Sequence, residues 1–174
     1  MGSAVDRLHD LDAKLDSILA LGEPFDVVMP KVLDLLCQSL EWEVGIAWRF
    51  DESDRVIRFV ASCHRPSRPM TELERISARS TFSPGVGLPG RIVSSSEPSW
   101  IKDVQTDRGF PRSPAAMEDG LHGAFGFPLR HGWKVVGVIE LFSKDTLERD
   151  EELLLFVAEI GPRLGEFLAE ATET

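Results

Sequence analysis

Apolar residues recur every third or fourth position at both ends of this chain and every second position in between. Few folds accept such a pattern. Val44, Ile46, Trp48 and Phe50 alternate with Glu43, Gly45, Ala47 and Arg49, which reads as a strand. The polar turn Asp51-Glu52-Ser53-Asp54 and the run from Val56 to Cys63 make it a hairpin. A second hairpin is predicted from His122 to Arg130 and from Lys134 to Ser143, across His131-Gly132. Ahead of the first hairpin, Val5, Leu8, Leu11, Leu15, Ile18 and Leu19 form a narrow helical stripe that ends at Gly22-Glu23-Pro24. A second helix carries Phe25, Val28, Met29, Val32, Leu33, Leu36 and Leu40, with Pro30 predicted to kink it or delay its start. A closing helix from about Arg149 to Ala169 turns Leu153, Phe156, Val157, Ile160, Leu164, Phe167 and Leu168 inward, bent at Gly161-Pro162.

The segment between the hairpins is variable. It holds a helix near Thr71 to Ala78, the tight turn Pro84 to Gly90, a short helix Arg91 to Ser95 and a short strand Pro98 to Val104. The loop Gln105 to Gly120 follows, with one helical turn near Ala115 to Glu118. Hairpins bracketed by terminal helices imply an α+β fold, an antiparallel sheet with helices gathered on one face. At 174 residues this is one domain.

Charge and composition exclude several classes of function. Lys and Arg total 19 against 29 Asp and Glu, a net charge of −10. An acidic chain repels phosphate backbones and anionic lipid heads, so neither nucleic acid nor a membrane is expected as partner. Two cysteines, Cys37 and Cys63, are too few for a disulfide framework or a thiolate zinc site. No apolar run is long enough to span a bilayer, and no signal peptide opens the chain. A soluble, cytoplasmic domain is expected, with Met1-Gly2-Ser3 as an expression remnant.

The run Phe82-x-Pro84-Gly85-Val86-Gly87-Leu88-Pro89-Gly90-Arg91, then Glu97-Pro98-x-Trp100-Ile101-x-Asp103-Val104, resembles a GAF domain. Phe127-Pro128-Leu129, Gly137-Val138-Ile139-Glu140-Leu141-Phe142-Ser143 and the acidic start of the closing helix agree with it. The resemblance covers about residues 24 to 169. It is to the GAF modules of bacterial sensor histidine kinases and related two-component signalling proteins. It implies a GAF/PAS-like antiparallel sheet of five or six strands, terminal helices on one face and a roof of loops and short helices on the other. Residues 24–170 would be that domain, with its closing helix at 149–170, preceded by the amphipathic helix 4–22. The implied role is regulatory and non-catalytic: sensing a small molecule and relaying the signal to a covalently linked effector.

Relatives place their ligand between sheet and roof. The bulky set on the first strand is expected to face the terminal helices, and Gly45, Ala47, Ala124 and Gly126 to floor the pocket. Its candidate residues are Arg49, Phe82, Leu88, Ile92, Trp100, Phe110, Met117, His122, Ala124, Gly126 and Glu140. The alternative is a roof whose own side chains fill the space, leaving a ligand-free relay scaffold. Glu140 lies in an apolar run and needs a partner, either a ligand's amine or hydroxyl or one of Arg49, Arg91 and Arg112. His122 could ligate haem iron, as a histidine does in some redox-sensing relatives. Bilin attachment and methionine sulfoxide reduction need cysteines that the 105–121 loop and the Gly-rich turn lack. The expected cofactor is therefore none.

The first helix's stripe is close to a coiled-coil seam. Together with the resemblance it implies a parallel homodimer through residues 5–21 and 149–170. The alternative is that both stripes pack on the domain's own sheet.

Overall fold

The computed structural model describes residues 4–172; the expected remnant at 1–3 lies outside them. Six helices and six strands follow one another as α1 (Ala4–Ala20), α2 (Phe25–Leu40), β1 (Val44–Asp51), β2 (Val56–His64), α3 (Glu72–Ala78), β3 (Thr81–Phe82), α4 (Gly87–Ser95), β4 (Ser99–Ile101), α5 (Ser113–Asp119), β5 (Ala124–His131), β6 (Lys134–Phe142) and α6 (Glu151–Thr172). The strands form one antiparallel sheet in the order β3-β2-β1-β6-β5-β4. The two hairpins meet at β1 and β6, the central pair, and the short strands β3 and β4 close the edges. This is the α+β architecture read from the period changes.

The sheet separates two apolar cores. On one face α1, α2 and α6 cover Ala47, Phe125, Phe127, Leu129, Ile139 and Leu141. On the other, the roof covers Val44, Ile46, Trp48, Val138 and Phe142. The expected facing of β1 is thus reversed. Its bulky residues meet the roof, and Gly45 and Ala47 lie under the helices. The reason is local. α2 lies close over β1, where a Cβ at Gly45 would come within 3.0 Å of the Cys37 sulfur, while β5 keeps its bulky Phe125, Phe127 and Leu129 toward the helices.

α6 also lies close on the sheet and runs as one helix through Gly161-Pro162, where sequence predicted a bend. A Cβ at Gly161 would sit 2.7 Å from the carbonyl oxygen of Pro128, and one at Gly165 would strike Arg130. One glycine per turn lets α6 lie directly on β5. Nor does Pro30 delay α2, which starts at Phe25; Pro30 is exposed, so the carbonyl it leaves without a donor faces water.

The narrow stripe of α1 is used inside the domain. Leu11 and Leu15 are buried against α2 and α6, and Arg163 of α6 pairs with both Asp12 and Asp16. Leu168 is buried as well, and Phe167 packs on Phe25 with ring centroids 6.1 Å apart. Leu15→Ala should therefore cost about 2–5 kcal/mol. Urea unfolding followed by tryptophan fluorescence should give that loss independently of protein concentration. A loss that varies with concentration would assign Leu15 to a seam between chains.

Candidate functional site

Register decides which side chains meet beneath the roof. Ile46 pairs with Glu140 across β1–β6, and Gly126 pairs with Glu140 across β5–β6. Alternation then puts Trp48, Val138, Glu140, Phe142, Ala124 and Gly126 on the roof side. Gly126 is needed there, since a Cβ would run into Ile92 of α4.

Glu140 is fully buried, and its partner is Arg112, one of the three arginines the sequence offered. Arg112 precedes α5 on the 105–121 loop. Its Nη2 donates to Glu140 Oε2 at 2.6 Å and its Nη1 to Oε1 at 3.0 Å, a bidentate pair. Nη1 also donates to Ser77 Oγ on α3, and Trp48 Nε1 donates to Glu140 Oε1 at 2.6 Å. Four rings surround the guanidinium. Its Cζ lies 4.8 Å from the ring centre of Phe110, 4.9 Å from Phe82, 5.5 Å from Trp48 and 5.9 Å from Phe142. An arginine suits such a box because it is planar, weakly hydrated and drawn to π-faces. Of the guanidinium's three nitrogens, Nε is left without a hydrogen-bond partner.

The pair fills the centre of the roof core. Phe82, Leu88, Ile92, Phe110 and Ala124 pack around it as one buried cluster with β1 and β6. The structure therefore brings together Phe82, Leu88, Ile92, Phe110, Ala124, Gly126 and Glu140 of the expected residues. Four others lie elsewhere. Arg49 is exposed at the end of β1 beside α6. Met117 is exposed on α5. Trp100 turns to the helix face, tilted against Phe125 with ring centres 4.2 Å apart, and lines an outer cleft of about 300 Å³ with Trp42 and Leu153. His122 is held by Asp103, whose carboxylate is 3.1 Å from Nδ1, while Gln105 Nε2 lies 3.4 Å from its other nitrogen.

Three residues of the site were missed, Phe142 of the ring box among them. Trp48 was set on the wrong face, and Ser77 carried no signal. Arg112 was named only as a partner for Glu140. Its place between Phe110 and the start of a short helix was the available clue, because a buried carboxylate facing a loop must draw a cation from that loop.

A second pair anchors the loop. Arg91 of α4 binds Asp107 at 2.6 Å, and Gly109 N–H donates to the same carboxylate. The Arg91 guanidinium holds the Asp107 carboxyl below its ordinary value of 3.8, against the opposing effect of partial burial. Asp119 at the end of α5 accepts from the backbone N–H groups of Glu72 and Leu73, capping α3.

The comparisons follow the fold. A family model described as "GAF domain" matches residues 22–167, and the chain belongs to the GAF family. The GAF domain of a phosphoenolpyruvate-protein phosphotransferase from Coxiella burnetii is similar at 16% identity and a TM-score of 0.83, over 98% of each chain. The nlh2 GAF domain of A. aeolicus, titled as an inactive state, is 19% identical with a TM-score of 0.72, over 94% of this chain and 96% of that one. A free methionine-R-sulfoxide reductase from Neisseria meningitidis, solved with its substrate, is 13% identical with a TM-score of 0.79, over 99% and 95%. No curated protein matches the sequence.

Two outcomes test this geometry. Arg112→Ala strands a buried carboxylate and should cost about 3–5 kcal/mol in urea unfolding, whereas the double change Arg112→Met, Glu140→Gln should cost far less. Because the folded-state pKa of Asp107 is depressed, its contribution is full well above 3.8 and lost as pH falls through the lower folded value. The Tm deficit of Asp107→Asn should accordingly be present at neutral pH and vanish in acid.

Proposed function

We propose that this chain is the regulatory GAF module of a bacterial signal-transduction protein, of the sensor histidine kinase type its motifs resemble. It relays a signal through its terminal helices and holds no ligand under its roof. The observation that carries this reading is the Arg112 guanidinium, boxed by four rings and bridged to Glu140 where a ligand would otherwise sit. The module works without cofactor and without turnover. The chain's two cysteines, at 37 and 63, stand outside both segments where thiol chemistry would be expected from the resemblance.

Relay calls for a second copy, and α6 offers a surface for one. Leu155 is 75% exposed, beside a groove lined by Leu8, Asp12, Phe156 and Glu159. With the inner stripe of α1 used within the domain, the outer edge of α1 and α6 is the proposed homodimer face.

One observation favours a second reading, that of a small-molecule sensor. Arg112 Nε is a buried donor without an acceptor, and a small ligand with a carbonyl or anionic oxygen would complete it. Phe82, Leu88, Ile92, Phe110 and Glu140 would then line the site.

Native mass spectrometry of freshly purified protein separates the two. A bare dimer is expected. Extra mass that leaves on denaturation would overturn the ligand-free reading in favour of the sensor, and a bare monomer would overturn the dimer.

A further inference from the structure

Cys37 and Cys63 are the chain's two cysteines, and the fold brings them together from different layers. Cys37 lies in the last turn of α2 and Cys63 near the end of β2, 26 residues on. Their sulfurs stand 3.3 Å apart, with the Cys63 thiol donating to Cys37. A Cβ at Gly45 would come within 3.0 Å of the Cys37 sulfur and 3.4 Å of the Cys63 sulfur, so both thiols rest over a residue with no side chain to part them. A disulfide needs the sulfurs at about 2.05 Å, a closure of roughly 1.3 Å. The pairing is not marked in the sequence, because the two cysteines lie on separate elements. His64, the neighbour of Cys63, points to the roof side, where it meets Glu74 at 2.9 Å.

We propose that Cys37 and Cys63 are a modification site, an oxidisable dithiol that a hydroperoxide converts into a disulfide clamping α2 to β2. The two thiols have unequal access. Cys37 is buried, whereas Cys63 is half-buried and meets the oxidant first. Its hydrogen bond with Cys63 and its burial push the Cys37 thiol up, so it stays protonated while Cys63 is reduced. The Cys63 sulfur attacks one peroxide oxygen as its proton is given up toward the departing oxygen, and the O–O bond breaks. The other oxygen leaves as hydroxide and takes up that proton, giving water and a sulfenic acid on Cys63. That change removes the Cys63 thiol, the largest influence holding Cys37 protonated. The Cys37 sulfur then attacks the Cys63 sulfur, the S–O bond breaks, and the hydroxyl departs as water with the proton from Cys37. Two thiols and hydrogen peroxide become one disulfide and two waters, with two electrons passing from sulfur to oxygen.

The clamp joins the sheet to the helical layer. α2 packs against both α1 and α6, and the Cys37 carbonyl accepts from the backbone N–H groups of Glu41 and Trp42. A covalent tie there limits how the helices move on the sheet. The proposal is independent of whether the roof takes a ligand.

The test treats the full chain with one equivalent of hydrogen peroxide, then measures intact mass, a non-reducing peptide map and Tm. The expected result is loss of two hydrogens, a linked peptide joining Cys37 to Cys63, and a Tm rise of about 5–10 °C that dithiothreitol reverses. Cys37→Ser should leave a sulfenic acid on Cys63 that dimedone traps, and Cys63→Ser should not react at that dose. No change in mass, a sulfinic acid on Cys63 with Cys37 free, or a disulfide between chains would each overturn the proposal. A linked pair with no rise in Tm would overturn the clamp.

Discussion

The guanidinium of Arg112 carries its charge into the buried roof core, and the roof is organised around keeping it there. A buried ion pair is costly to desolvate and holds only when its geometry and hydrogen bonds are nearly complete. Completion here draws on four elements. β6 supplies Glu140, β1 supplies Trp48, α3 supplies Ser77, and the loop leading to α5 supplies the arginine itself. Each must hold position for the others to be satisfied. The pair at Arg91 and Asp107 fixes the loop on α4, the Ser113 hydroxyl ties it to the carbonyls of Val104 and Gln105, and Asp119 joins α5 to α3.

The sheet's other face obeys a different rule. There the helices touch backbone, and glycines at 161 and 165 set how near α6 can come to β5. Gly45 does the same work under α2 and leaves room for two sulfurs. β1 therefore presents bulk toward the roof and smallness toward the helices, while β5 does the reverse, with Phe125, Phe127 and Leu129 under the helices and Ala124 and Gly126 under the roof. A GAF module built in this way has a polar-centred roof and a helical layer whose inner stripe is already used.

The period-2 runs and the helical stripes were legible in sequence because each residue signals its own element. Both hairpins, the terminal helices and the α+β class follow from them. The two-residue strand β3 was too short to carry a period. Facing was harder. Val44, Ile46 and Trp48 are equally apolar toward either layer, and nothing local says which of the two they meet. Glu140 announced a buried charge from its surroundings, and the choice among three arginines depended on how a loop folds back over the sheet. Trp100 was misplaced because β4 pairs with β5 at the sheet edge, so its side chain joins Phe125 on the helix face. The thiol pair joins positions on separate elements, and nothing local marks it.

The central claim is that Arg112 is locked inside the roof. Nitrogen-15 NMR of the arginine side chains observes it most directly. One guanidinium should show slow hydrogen exchange, hindered rotation about its terminal bonds and ring-current shifts from the aromatic box, and that signal should disappear in Arg112→Met. If every arginine side chain exchanges rapidly near its random-coil position, Arg112 is solvated, and the account of a filled, ion-paired roof fails.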